Sequence, residues 1–126
     1  AIATINEYKR LNIAENVKKQ GALLNDLLLE LQKKHASVGE IRCIGLFSAF
    51  ELVKNKETRE PLVEYNEDPE KIMKKILGML FAEGFATYEH ENMLIVAPPL
   101  TITEEEVSEG MKKLDKVLDS VDNMIK

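Results

Sequence analysis

Cysteine is almost missing from this chain. Cys43 is the only one among 126 residues, so no disulfide can close within it, and a reducing, cytoplasmic setting is expected. Positive charge is also short, with 17 Lys and Arg against 22 Asp and Glu and a formal net charge of -5. A polyphosphate binder needs the opposite balance, which argues against nucleic acid as a partner. The six glycines are scattered and none forms the spaced pattern of a phosphate-binding loop. No apolar run approaches the length that crosses a bilayer, and the N-terminus lacks the layout of a signal peptide, so no membrane partner is expected.

What is present suits one folded domain. The chain is 44% hydrophobic and 31% charged, enough apolar material for a core and too much for disorder. It opens at Ala1 without a Met and runs directly into a helical pattern, which fits either a trimmed start or a piece of a longer polypeptide.

Periodicity lays out the elements. Ile5, Tyr8 and Leu11, then Val17, Leu24, Leu27, Leu28 and Leu31, recur at three- and four-residue spacing. This predicts helix over 3–34 with one buried face, kinked or broken near Asn12. Gly21 costs that helix about 1 kcal/mol against Ala, which suggests close packing on another element. Lys33, Lys34 and His35 put positive charge on its last turn, where the helix dipole favours it. From Ile41 to Val53 aromatic and β-branched residues rise, and one strand is expected, with Gly45 marking a bulge, a bend or a close backbone approach. Residues 54–66 read as a connecting loop. Asp68-Pro69-Glu70 reads as a helix start, followed by the stripe Ile72, Met73, Ile76, Leu77, Leu80 and Phe81, with Gly84 as a left-handed stop. Short strands are expected at 85–88 and 93–96, with a polar turn over 89–92. Thr103-Glu104-Glu105-Glu106 is a capping box, stapled by Ile102 and Val107, for a last helix carrying Met111, Leu114, Val117, Val121 and Met124. The order predicts an α+β fold, a small and mainly antiparallel sheet with its helices packed mostly on one face.

Self-sufficient chemistry is not apparent. His35, His90 and Cys43 lack metal-ligand spacing, so no metal site is expected. The Glu104–Glu106 run is explained by capping. Cys43 has no base near it in sequence and reads as a small core residue, although an unrelated enzyme using this thiol is one alternative.

Two stretches carry a family pattern. One runs from His35 through Val38-Gly39-Glu40-Ile41-Arg42 to Glu51-Leu52-Val53, followed by Lys56-Glu57-Thr58-Arg59-Glu60-Pro61. The other is Asn92-Met93-Leu94-Ile95-Val96-Ala97-Pro98-Pro99-Leu100-Thr101-Ile102-Thr103-Glu104-Glu105-Glu106. Together they resemble the C-terminal small domain of class III, pyridoxal-phosphate-dependent aminotransferases, nearest the ω-amino-acid:pyruvate and taurine–pyruvate branch. Cys43 stands where many relatives have Gly.

The resemblance implies that residues 1–126 are a single domain of a longer enzyme of fold type I. Its missing large domain would supply the Schiff-base lysine and most of the pyridoxal 5'-phosphate site. The parent would move an amino group from an ω-amino acid or amine to a keto acid such as pyruvate, and would work as a homodimer. The fragment alone is expected to bind no cofactor, to carry no catalytic or cofactor-binding residue, and to be inactive. In the family this domain closes one wall of the active site, often with an arginine that grips the acidic end of the substrate. The matching places here hold Ile95 and Tyr88, with His90 close by, so Tyr88 and His90 are the candidate substrate-side residues. Arg42 matches a family arginine and reads as half of a structural ion pair. The alternative reading is a free-standing α/β protein-interaction module without catalysis.

Overall fold

The computed structural model describes residues 1–126. Its first two helices are α1 (Ile2–Arg10) and α2 (Ile13–Lys34). They break at Asn12, whose φ of 50° and ψ of 44° lie in the left-handed region that Asn tolerates better than most residues. The expected break is therefore there, but the expected continuous buried face is not. α2 buries Ile13, Leu24, Leu28 and Leu31, whereas α1 buries nothing and leaves Ile5 and Tyr8 about half exposed. A 3.6-residue apolar period reports a face able to be covered, and nothing in this chain covers that of α1.

The run over 41–53 corrects a second expectation. It folds back on itself as a hairpin of β1 (Val38–Ile44) and β2 (Phe47–Asn55), pairing Ile44 with Phe47, Arg42 with Ala49 and Ile41 with Phe50. Gly45 makes the reversal possible at a φ of 59°. Hydropathy hid the turn because Leu46, beside it, is buried. Gly21 explains where the turn rests: a Cβ there would lie 2.6 Å from the carbonyl carbon and oxygen of Gly45. Helix and turn thus touch backbone to backbone, the close approach expected of both glycines.

The expected loop over 54–66 contains the two-residue strand β3 (Glu60–Pro61), paired with β2, and then turns inward to bury Leu62 and Val63. α3 (Ile72–Ala82) starts three residues later than a cap at Asp68 would place it. Lys71, at a φ of 54°, precedes it, and Pro69 stays outside the helix. Asp68 still caps from a distance, its carboxylate accepting from the amides of Ile72 at 2.7 Å and Met73 at 3.0 Å. Phe81 departs from the predicted stripe and is exposed. The helix ends in a Schellman pair, with the Gly84 amide on the Phe81 carbonyl and the Phe85 amide on that of Leu80. That wrap takes up Phe85, which is why the next strand, β4 (Tyr88–His90), starts later than the expected 85–88. β5 (Met93–Val96) follows after a turn at Glu91 and Asn92. α4 (Glu104–Met124) begins at the expected capping box: the Thr103 amide donates to Glu106 at 2.8 Å, and the Glu106 amide to Thr103 Oγ1 at 3.3 Å.

The main sheet has the order β1-β2-β5-β4 and every neighbouring pair is antiparallel. Its inner face, with Phe50, Leu52, Leu94 and Val96, joins Leu24 and Leu28 of α2, Ile76 and Leu80 of α3, and Leu114, Leu118 and Val121 of α4 in one core. The fold is α+β, with its packed helices on one face of a small antiparallel sheet. No helix is long and apolar enough to cross a membrane.

Candidate functional site

The outer face of the sheet carries no helix, and cross-strand register fixes what it displays. Ile44 lies opposite Phe47. Arg42, Ala49, Ile95 and Tyr88 form a row across all four strands, and Glu51, Met93 and His90 form the next. Ile44 is 83% exposed, Phe47 63% and Tyr88 65%. Covering a large apolar side chain returns about 1.5–3 kcal/mol, so a surface that covered this face would gain free energy by doing so.

Arg42 is the one guanidinium on the face and it is already engaged. Its Nε donates to Glu40 at 2.9 Å and its Nη2 to Glu51 at 2.5 Å. The bond to Glu40, then the charges of Glu40 and Glu51, hold the Arg42 pKa above its ordinary value, while Arg42 holds the Glu40 carboxyl below its own. The ion pair read from the sequence is therefore what the structure contains, with two carboxylates rather than one.

Tyr88 and His90 come together as their spacing allows: two residues apart on the edge strand β4, both on the open face and both exposed. They share a shallow cleft of about 400 Å³ with Asn66, Asp68, Lys71 and Lys74. Tyr88 also borders a second, more apolar cleft of about 480 Å³ between β4, the Pro98-Pro99 segment and α4. Glu91, in the turn next to His90, accepts the Asn66 amide at 2.9 Å and so ties the 64–67 segment to the rim. A phenol and an imidazole with free polar atoms can orient a ligand. The amines of Lys71 and Lys74 border the same cleft, with the carboxylates of Glu64, Glu67 and Asp68 around them.

Pyridoxal phosphate needs an amine for its aldehyde, a cradle for its phosphate and a carboxylate for its ring nitrogen. The residues present do not fit that set. The apolar cleft beside Tyr88 is lined without any lysine, and the other surrounds Lys71 and Lys74 with the carboxylates of Glu64, Glu67, Asp68, Glu89 and Glu91, a lining that repels a phosphate. Lys34, Lys54, Lys113 and Lys116 are ion-paired to Asp115, Glu60, Glu109 and Glu83. Lys56 has its pKa lowered by burial, but its Nζ donates to the Gln32 carbonyl. Of the glycines with positive φ, Gly45 is packed against Val17 and Gly21, and Gly84 spends its amide on the Phe81 carbonyl, so neither turn holds an open anion cradle. Cys43 is half-buried rather than the core residue expected; burial pushes its thiol up, and it lies 3.5 Å from the Gly45 carbonyl, a setting that leaves it a poor nucleophile.

Sequence reasoning missed a second polar cluster. His35 is not a solvated helix-end charge: it is fully buried at the end of α2, with Nδ1 2.8 Å from Asp122 and Nε2 2.7 Å from Asp115. Asp122 also accepts from the Ser37 amide at 2.9 Å and the Ser37 hydroxyl at 2.6 Å. Burial pushes Asp122 up, but the Ser37 and His35 bonds outweigh it and leave the carboxyl below the ordinary range. Asp115 is likewise held low, Lys34 and His35 together overcoming its burial. Atoms of His35, Asp119 and Asp122 lie within 4.8 Å of one another, but the ring nitrogen and the Asp122 carboxylate are spent on each other. The signal in the sequence was the ladder Asp115, Asp119, Asp122 on one face of the last helix.

Comparison with known proteins supplies the context. A family model described as aminotransferase class-III matches residues 1–118. A taurine–pyruvate aminotransferase of Bilophila wadsworthia is 32% identical over 123 residues, 97% of this chain and 27% of that protein. A protein of Caenorhabditis elegans named ethanolamine-phosphate phospho-lyase homolog 1 is 36% identical over 118 residues, 93% of this chain and 24% of that protein. The structure of taurine:2-oxoglutarate aminotransferase from Bifidobacterium kashiwanohense, in complex with PLP and glutamate, superposes with a TM-score of 0.93 at 42% identity, covering 99% of this chain and 28% of that one. The chain spans about a quarter of the length of the relatives it matches.

Proposed function

The chain belongs to the class-III aminotransferase family, and from that premise we propose that it is the C-terminal small domain of a pyridoxal-phosphate-dependent aminotransferase. In this reading the open sheet face is one wall of an active site, and the missing large domain brings the cofactor and its reactive lysine. The parent transfers an amino group from an ω-amino acid or amine to a keto acid such as pyruvate, works as a cytoplasmic homodimer, and uses Tyr88 and His90 on the substrate side. The observation that carries the reading is the mismatch between match and chemistry: nearly the whole chain aligns with such enzymes, yet its apolar cleft offers no amine, and the cleft that holds Lys71 and Lys74 is lined with carboxylates that repel a phosphate.

The test compares two polypeptides, this chain and a longer one that includes it. The purified chain mixed with pyridoxal phosphate gives no shifted cofactor absorbance and no alanine from pyruvate, whereas the longer polypeptide gives both. Turnover by the chain alone would refute the reading. Taurine and β-alanine are the first donors to try. Phosphate release from ethanolamine phosphate is the necessary control, because one relative carries the name of a phospho-lyase homolog. In the longer polypeptide, Tyr88→Phe and His90→Ala raise KM for the donor and leave the cofactor spectrum unchanged.

A further inference from the structure

The His35 cluster lies on the helical side of the sheet, away from the open face, and the proposed catalysis makes no use of it. Both ring nitrogens point at carboxylate oxygens, Nε2 at Asp115 and Nδ1 at Asp122. An ionised carboxylate only accepts, and a neutral imidazole has a single N–H, so only the doubly protonated ring can donate to both partners at once. We propose that His35 is a two-sided latch on the α2–α4 seam, closed when the ring carries two protons and released on one side when it carries one.

Several charged groups surround the ring. Lys34, next to it on α2, lies 2.7 Å from Asp115 and 3.8 Å from Asp119. From α4 come Asp115, Asp119 and Asp122, with Asp119 at 3.9 Å from Nδ1. Lys56, beyond β2, feels the charge of Asp122. Three carboxylates therefore face the ammonium of Lys34 nearby and that of Lys56 farther off, and a charged imidazole moves the seam toward neutrality. What the latch holds follows from Ser37. Asp122 anchors the Ser37 amide and hydroxyl, one residue before β1, while the Ser37 carbonyl accepts the Val53 amide at 2.8 Å. Opening the Nδ1 side leaves Asp122 held by Ser37 alone, which loosens the tie between α4 and the start of the edge strand.

The experiment is nitrogen-resolved NMR of the His35 ring in this chain at about pH 5 and about pH 9, which bracket the range of imidazole charge change. Two slowly exchanging ring protons are expected at the lower pH and one at the higher. In parallel, the gap in urea midpoint between the native chain and His35→Gln is expected to shrink by about half at the higher pH, as two charge-assisted bonds become one. A single ring proton at about pH 5 overturns the proposal, as does a midpoint gap equal at both pH values. So does a midpoint that rises with added Zn2+ in the native chain but not in His35→Gln, since that would make Nδ1 a metal ligand rather than a donor. If His35→Gln does not fold, the ring-proton count on the native chain decides alone.

Discussion

The backbone contact between Gly21 and Gly45 gives the sharpest mutational forecast. In a solvent-facing helix position, Gly→Ala stabilises by up to about 1 kcal/mol, because alanine loses less backbone freedom on folding. Gly78 of α3 is such a position, with nothing within 4 Å of the methyl that alanine would add. At Gly21 the same methyl would come 2.6 Å from the carbonyl carbon and oxygen of Gly45 and 2.7 Å from its Cα. No flexible side chain lies between them, so either α2 or the hairpin must move. Gly45 has little room to give, since a Cβ built on it would lie 2.9 Å from Val17. Overpacking of this kind costs about 1–3 kcal/mol, and rigid backbone on both sides puts Gly21→Ala near the top of that range. Subtracting the helical gain leaves a net loss of about 2 kcal/mol. With a urea dependence of about 1–3 kcal/mol per molar, the midpoint falls by about 1 M, while that of Gly78→Ala rises by a few tenths. Equilibrium urea unfolding followed by circular dichroism measures both. A midpoint for Gly21→Ala at or above the native value would falsify the close-contact argument, because the helix-propensity gain would then be the whole effect.

Three smaller forecasts follow. Thr103→Ala removes the oxygen that receives the Glu106 amide and loses about 1 kcal/mol, seen as a lower thermal midpoint; Thr103→Ser retains most of the stability. Asp115 and Asp122 titrate below their ordinary range in the folded chain, so their contribution is complete above about pH 3.9 and drains as pH falls through the lower folded values. Asp122→Asn should therefore flatten the acid limb of a plot of urea midpoint against pH; an unchanged limb would show that Asp122 is not part of it. The Cys43 thiol, half-buried and pushed up, should react with iodoacetamide at neutral pH about tenfold more slowly in the folded chain than in urea.

Local chemistry was the most legible part of this sequence. The capping box of α4, the left-handed stop at Gly84 and the capping carboxylate of Asp68 depend on residues a few positions apart, so the pattern alone carries them. The turn at Gly45 was hidden because its neighbour Leu46 belongs to the core, and hydropathy cannot separate an apolar turn from an apolar strand. The exposed Ile5 and Tyr8 misled for the reverse reason: amphipathic spacing shows that a helix has a face, not that the face is occupied. Tyr88 was expected in a strand and His90 in the turn after it; the strand runs on through His90, which sets the two on one face. The environment of His35 was illegible because Asp115 and Asp122 lie about eighty residues away, and only tertiary packing brings them to the ring.

The joint at Asn12 divides the chain energetically. Ile13 is the first residue to reach the interior, so the cooperative unit begins there, and a nine-residue helix left to itself in water is barely stable. A surface that covered Ile2, Ile5 and Tyr8 would add to α1 the free energy that its own short ladder of hydrogen bonds does not supply.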